Sequence, residues 1–318
     1  MSGGIWKKGI LVVLAVLLLL IPQQLLAGRP KVEAAAAALI DAKTGEVLWQ
    51  AEGDRALPAS GAAQLMTEWL VLDAVRGGRF GWEETVRVGA GKESAVQAAY
   101  PASGNAGADS LALQGSDEVP LNELFMGLAV SSSQEAERAL ARHAGGSEAS
   151  FAGMMNEKAR RIGLSASTRF LPAAEDAGPP KGPHGAAAAS GSRITAKDTA
   201  LLCRSLIAEH PEILRMSSVT QTEIRSRGIY LTNSNAMLPE FAGPHAYRGL
   251  DGLKAFGSEQ EGYSLAGTAQ RDGHRLIVVV MGAGSREQSF QAAGKLLDYG
   301  YARSGSFAER AASWLKLV

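Results

Sequence analysis

The 318-residue chain is poor in the residues that build disulfides and metal sites. Its single cysteine, Cys203, lies in an apolar helical run, which excludes an internal disulfide framework and a cysteine-based zinc site. The five histidines are His143, His184, His210, His245 and His274. Their spacing is not that of a metal site, so each is predicted to be a surface or loop residue. We expect neither a metal ion nor a cofactor.

The chain also lacks net charge and has no long run of one sign. Lysine plus arginine equals aspartate plus glutamate at 32 each, so no overall field attracts nucleic acid, and we predict no nucleic-acid partner. With 46% hydrophobic and 20% charged residues, the composition is that of a globular protein. The length suffices for one large domain or two modest ones.

The first thirty residues read as an export signal. Lys7 and Lys8 precede an apolar run from Ile10 to Ile21, which is followed by Pro22 and the small residue Ala27. A membrane-spanning helix needs roughly 20 apolar residues, so this run is short, although an uncleaved anchor stays open. We therefore expect the protein to be exported, to the extracellular side of the cytoplasmic membrane or to the periplasm and cell wall. Any membrane contact is expected only through residues 1–30.

Periodicity predicts strands at both ends of the remaining chain and helices between them. Residues 32–50 are typical of a β-hairpin with its turn at Gly45, and an apolar helix follows Pro58 and ends at Gly77 and Gly78. The later predicted strands are Gln221–Tyr230, Tyr263–Gln270 and Arg275–Gly282, the last two joined as a hairpin at Asp272-Gly273, before a closing helix at Phe290–Tyr299. This order favours one sheet flanked by helices, with a helical lobe.

The helix after Pro58 raises the question of function. Ser60 stands at its start, where unpaired N–H groups could stabilise an oxyanion. A serine hydroxyl needs a base, and a lysine three residues later is one known solution, but that position is Ala63. We therefore interpret Ser60 as the N-cap of the helix.

Seven segments in order resemble the D-alanyl-D-alanine carboxypeptidases, the low-molecular-weight penicillin-binding proteins of the serine transpeptidase and β-lactamase superfamily. They are LIDAKTGEVLWQ, LPASGAAQLMT, GLAVSSSQEAERAL, NEKARRIGL, TAKDTALLCRSLI, GLDGLKAFGSEQEGYSL and RDGHRLIVVVMGA. The resemblance predicts one such domain at residues 31–303, with a short tail at 304–318. It implies a mixed α/β (α+β) fold: an antiparallel sheet of about five strands flanked by helices, with a helical lobe. It also implies a groove for the D-Ala-D-Ala end of a peptidoglycan stem peptide.

The family's S-x-x-K motif is altered. Alignment on Leu65-Met66-Thr67 puts the family's nucleophilic serine on Gly61 and its lysine base on Gln64. Ser60 is one residue early, a rotation of about 100 degrees on a helix. A single-residue gap in the alignment could place Ser60 at the nucleophile position, but it would still lack a lysine three residues later. The side chain of Gln64 is an amide, which cannot take a proton at neutral pH. No catalytic residue can therefore be assigned.

The family's S-x-N motif falls on Ser132-Ser133-Gln134. The resemblance implies that Ser132 and Gln134 contact the substrate, because a glutamine amide can still bond to a peptide. The alternative is that the serine run is a loop that supplies an N-cap for the next helix.

The family's K-T-G motif falls on Lys254-Ala255-Phe256, and the resemblance implies that these residues line the substrate strand. Ala255 lacks the threonine hydroxyl, and Phe256 puts a large ring where glycine would let a ligand backbone approach. Phe256 could thus partly fill the groove. The alternative for Lys254 is a plain solvated strand lysine.

Three hypotheses follow. The first is an inactive homologue that binds a peptidoglycan stem peptide or a cell-wall protein. The second is an active serine D-Ala-D-Ala carboxypeptidase that uses Ser60 or Ser132 as nucleophile and Lys254 as base. The third is a structural protein whose groove Phe256 closes. A serine hydroxyl within reach of a lysine amine would favour the second, and an open groove beside Phe256 would argue against the third.

Overall fold

The computed structural model describes residues 29–88, 111, 113, 116–172, 191–259 and 261–304. The predicted export signal therefore lies almost wholly outside the described residues, as does the tail after Ser304. None of the helices within the described ranges is long and apolar enough to cross a membrane.

A five-stranded antiparallel sheet forms the centre of the molecule. Its strands, in spatial order, are β2 (Val47–Ala51), β1 (Ala36–Asp41), β11 (His274–Ala283), β10 (Gly262–Arg271) and β9 (Leu250–Ser258). The predicted hairpin at residues 32–50 and the predicted hairpin at Asp272-Gly273 are confirmed. Both turn residues of the second hairpin have positive φ, which a tight two-residue turn requires. The strand β9 lies at an edge of the sheet.

Helices cover both faces of this sheet. The helices are α1 (Ser60–Arg76), α2 (Leu121–Ser131), α3 (Gln134–Gly145), α4 (Glu148–Arg161), α5 (Ala196–Glu209), α6 (Ile213–Ser217) and α7 (Arg286–Ser304). One face buries Leu39 and Val278 against Leu297 of α7. The other face buries Ile40 and Val279 against the core that α1 and α5 share with the remaining helices. The fold thus confirms a mixed α/β protein with an antiparallel sheet and a helical lobe.

Short strand pairs complete the described fold. They are β3 (Ala56–Pro58) with β6 (Arg193–Thr195), β4 (Thr85–Arg87) with β5 (Glu118–Pro120), and β7 (Gln221–Ile224) with β8 (Ile229–Thr232). The prediction of a single strand at Gln221–Tyr230 is wrong, because the chain turns at Arg225 to Gly228 and pairs with itself. Gly228 takes a φ of +63° in this turn, which favours glycine.

The helix α1 is the central element. Thirteen residues of its seventeen are buried, including Trp69 and Met66, so it is enclosed on nearly all sides. Its start is not what the sequence predicted. The N-cap is Ala59, which makes no side-chain capping bond, and Ser60 is the first helical residue. The interpretation of Ser60 as the N-cap is therefore wrong.

Candidate active site at the start of helix α1

Gly61 and Phe256 are in direct contact. A Cβ atom built on Gly61 would lie 2.0 Å from Cγ of the Phe256 ring. Real Cβ atoms do not approach a neighbour closer than 3.0 Å, so the ring occupies the space that a side chain at position 61 would need. Phe256 belongs to β9 and is only 9% exposed. The two positions that the resemblance predicts for the nucleophile and the motif glycine therefore lie against each other.

One helical turn further, Gln64 points into the protein. Its side chain is 4% exposed, and its Nε2 donates to the backbone oxygen of Ser132 at 3.1 Å and to Oε2 of Glu137 at 3.3 Å. Its Oε1 is buried and has no hydrogen-bond partner among the residues the structure describes. The amide of Gln64 thus ties α1 to the junction of α2 and α3.

Lys254 is buried and paired. Its Nζ lies 2.8 Å from Oε1 of Glu68 and donates to the backbone oxygen of Leu128 at 2.6 Å. Both side chains of the ion pair are 1% exposed. Burial raises the pKa of Glu68, while the nearby ammonium of Lys254 acts in the opposite direction. The interpretation of Lys254 as a solvated strand lysine is wrong, because its ammonium is buried and forms an ion pair with Glu68.

The edge of β9 is also occupied. Ser132 adopts the left-handed conformation at the end of α2, with φ 58° and ψ 36°. Its hydroxyl makes a long hydrogen bond of 3.4 Å to the backbone oxygen of Ala255, and the Ser234 hydroxyl donates to the same oxygen at 2.9 Å. The Ala255 side chain is buried on the opposite face, against the core beneath α7. Two serines thus cap the carbonyl that faces the groove.

The rest of the serine run follows its structural interpretation. The Ser133 hydroxyl accepts from the backbone N–H of Ala136 at 3.2 Å and so caps α3. Gln134 is the first residue of α3 and is exposed. The predicted N-cap within this run is confirmed. The predicted contact of Gln134 with a substrate stays a prediction.

Ser60 lies beside Gly61 but faces the β9–β10 turn. Its Oγ donates to Oε2 of Glu261 at 3.0 Å. A small pocket with a volume of about 10 Å³ adjoins this contact. Its lining residues are Leu57, Pro58, Ser60, Phe256, Glu261, Gly262, Ser264, Met281 and Gly282. That volume holds about one water molecule, so the described residues leave little of a groove beside Phe256.

Most of the predicted site residues meet where α1, β9 and the α2–α3 junction come together. Sequence reasoning missed Glu68, Glu137, Ser234 and Glu261. Glu68 left a signal, because it is a charged residue seven positions after Gly61, on the same face of a largely apolar helix. Glu137 left none, since it stands in a run of charged residues typical of a solvated helix face.

A second group of charges lies at the other end of α1. Lys158 Nζ is 3.1 Å from Oδ2 of Asp73 and 2.8 Å from Oε2 of Glu209. Asp73 also contacts Nε2 of His210 at 2.7 Å. His210 lies in the loop after α5, in agreement with the prediction of a surface or loop residue, but its side chain is fully buried.

Asp73, Glu209 and His210 lie close enough together to hold a metal ion. The ammonium of Lys158 already contacts both carboxylates. The geometry is therefore that of an ion-pair network.

Comparison with known proteins places this chain in a family. The family model described as D-alanyl-D-alanine carboxypeptidase matches residues 23–285. The chain belongs to this family. The D-alanyl-D-alanine carboxypeptidase DacC of Escherichia coli is 31% identical over 86% of this chain and 62% of its own length. DacF of Bacillus subtilis is 26% identical over 85% of this chain and 63% of its own length.

Solved structures agree with this membership. Penicillin-binding protein D2 of Listeria monocytogenes, in its ampicillin-bound form, superposes with a TM-score of 0.70 at 28% identity, over 86% of this chain and 100% of that chain. Penicillin-binding protein 6B of Escherichia coli gives a TM-score of 0.71 at 29% identity, over 86% of this chain and 79% of that chain. The chain spans a little over 60% of the length of the curated relatives DacC and DacF.

Proposed function

We propose that this family member is an exported cell-wall protein that has lost peptidase activity and acts by binding a peptidoglycan stem peptide or a wall protein. One observation carries the proposal: the Phe256 ring fills the space that the side chain of a nucleophile at position 61 would need. Loss of a catalytic serine and its base typically costs on the order of a millionfold in turnover.

The alternative with displaced catalytic groups finds no support in the contacts. Lys254, the base in that hypothesis, bonds to Glu68 and to the Leu128 carbonyl. The hydroxyls of Ser60 and Ser132 bond elsewhere, to Glu261 and to the Ala255 carbonyl. Within the described ranges, neither serine forms a hydrogen bond to a lysine amine. An activated nucleophile requires such a contact with its base.

The same geometry supports the hypothesis that the groove is closed. With Phe256 on Gly61 and two serine hydroxyls on the Ala255 carbonyl, a peptide cannot pair with the middle of β9 in the manner of an added strand. Binding at the wall would therefore use a surface beside the former catalytic position. Export rests on Lys7, Lys8 and the apolar run after them.

Acylation by penicillin tests the loss of activity. The purified protein is incubated with a fluorescent penicillin and its intact mass is measured, next to an active relative as a positive control. We expect no penicilloyl adduct on the folded protein. A stoichiometric adduct would overturn the proposal, and its loss in Ser60→Ala would identify a displaced nucleophile.

Export has its own test. Residues 1–31 are fused to a reporter that is active only outside the cytoplasm. We expect activity, and we expect a Lys7→Glu/Lys8→Glu variant to lose most of it, because the positive charges orient the signal. Retention of the wild-type fusion in the cytoplasm would contradict the proposed location.

A further inference from the structure

Two buried oxygen atoms on one face of α1 lack a hydrogen-bond donor. Gln64 and Glu68 are four residues apart on the helix, so their side chains are neighbours on the same face. Gln64 is 4% exposed and Glu68 is 1% exposed. The Oε1 atom of each accepts no hydrogen bond from any residue that the structure describes. Buried acceptors without a donor are unfavourable and uncommon in native proteins, so both oxygens call for a donor.

The orientation of the Gln64 amide is fixed by its nitrogen. Nε2 donates to the backbone oxygen of Ser132 at 3.1 Å and to Oε2 of Glu137 at 3.3 Å. Both of these atoms are acceptor oxygens, so a rotation of the amide by half a turn would place Oε1 against two acceptors. The Oε1 atom therefore faces away from Ser132 and Glu137 and needs a donor from elsewhere.

The ammonium of Lys254 lies at the same end of α2. Its Nζ donates to the backbone oxygen of Leu128 at 2.6 Å, and this oxygen also accepts from the backbone N–H of Ser132 at 3.1 Å. Nζ lies 2.8 Å from Oε1 of Glu68, but this charge contact is not aligned as a hydrogen bond. An ammonium has three N–H donors, and the Leu128 oxygen is its one aligned acceptor among the residues described. At least one N–H of Lys254 is therefore available to an acceptor.

We propose that one buried water molecule bridges Gln64, Glu68 and Lys254 in the interior between α1 and β9. The water donates one hydrogen to each of the two Oε1 atoms and accepts one from Nζ of Lys254. Three hydrogen bonds are the usual number for a buried water, and these three provide the donors that the oxygens lack. A buried ion pair is favourable only when its other donors and acceptors are satisfied, so the water stabilises the pair of Lys254 and Glu68. This holds whether or not the protein retains any peptidase activity.

Diffraction from crystals of the full protein tests the inference. X-ray data locate the water oxygen, and neutron data from crystals in heavy water locate the deuterium atoms, which X-rays do not show at ordinary resolution. We expect one water oxygen within roughly 2.5–3.2 Å of all three atoms, with its two deuterium atoms directed at Gln64 and Glu68. Empty density between the three side chains would overturn the inference. A deuterium on Glu68 that points directly at Oε1 of Gln64 would also overturn it.

Two variants of α1 give a matched comparison. Gln64→Leu removes the amide oxygen and leaves the water two of its three partners, so we expect the occupancy of the water to fall. Thr67→Val is the control, because it changes a buried side chain of the same helix whose hydroxyl bonds to the Ala63 oxygen. We expect full occupancy in Thr67→Val, and equal occupancy in the two variants would contradict the bridge. The measurement on the wild-type protein decides the question even if a variant does not fold.

Discussion

Two buried lysines contact α1 in opposite surroundings. At the middle of the helix, Lys254 pairs with Glu68, and both side chains are 1% exposed. Near the end, Lys158 is 7% exposed, but the carboxylates that it contacts are 37% exposed on Asp73 and 49% on Glu209. The pair of Lys254 and Glu68 is sealed from bulk water, whereas the carboxylates that contact Lys158 are exposed to it.

The comparison shows what a retained motif residue can mean. Lys254 stands where the family's K-T-G lysine falls, yet its ammonium is held by Glu68, a residue of the adjoining helix. A buried charge with one buried partner cannot be released without leaving that partner unpaired, which is strongly unfavourable. Lys254 is thus needed for the stability of the fold, and its presence in the sequence is no evidence of a ligand site.

The largest loss of stability is expected when the buried pair of Lys254 and Glu68 is broken. Lys254→Met leaves Glu68 buried without its partner, so we expect the free energy of unfolding to fall by about 3–5 kcal/mol. Urea denaturation of the purified variant measures this. The control is Lys254→Met/Glu68→Leu, which should recover most of the loss because neither charge remains. A double variant as unstable as the single one would show that the ion pair is not the cause.

Removal of Lys158 from its exposed carboxylate partners should lower the free energy of unfolding by less. In Lys158→Met, Asp73 keeps its contact with His210, and the Glu209 carboxylate keeps a hydrogen bond from Trp69 and access to water. We therefore expect a loss of about 1–2 kcal/mol by the same denaturation assay, including the contact of the ammonium with the Trp69 ring. A loss equal to that of Lys254→Met would remove the distinction between the two lysines.

The pH dependence of stability gives a finer test of the sealed pair. Because burial raises the pKa of Glu68 above its usual 4.5, the folded protein binds this proton more tightly than the unfolded chain. The contribution of Glu68 to stability is therefore greatest below its unfolded pKa and is lost as the pH rises through its folded pKa. Relative to Glu68→Gln, wild type should lose stability as the pH rises above 4.5, by at most about 1.4 kcal/mol per pH unit. Denaturation from pH 4 to 8 measures it, and a slope of opposite sign would contradict it.

The sequence predicted the fold where local signals were strong. The hairpin β1–β2, the helix α1 and the hairpin β10–β11 each combine a clear periodicity with a turn glycine. The seven segments in order placed the chain in its family. The alignment on Leu65-Met66-Thr67, which puts the catalytic positions on Gly61 and Gln64, stays a prediction. Contacts between distant segments were not predictable. The ring of Phe256 on Gly61, Glu68 on Lys254 and Ser234 on the Ala255 carbonyl depend on packing that no local pattern encodes.

Ser60 shows why the start of a helix is hard to predict. A serine after Pro58 is a favoured N-cap, but the helix begins at Ser60 itself, and the side chain bonds to a turn far along the chain. The strand β9 was located by resemblance and not by its own pattern. Its residues are mostly buried on both faces, so they do not alternate in the way that marks a half-buried strand.

The coupling between Gly61 and Phe256 tests the central claim most directly. If the ring occupies the space of a side chain at position 61, Gly61→Ala should lower the free energy of unfolding by about 1–3 kcal/mol, because the new Cβ would overlap the ring. In a Phe256→Ala background the same change should be neutral or stabilising by up to about 1 kcal/mol, since alanine favours a helix over glycine. A double-mutant cycle by urea denaturation measures both. If Gly61→Ala has the same effect with and without the ring, position 61 is open, and the account of a closed catalytic position is wrong.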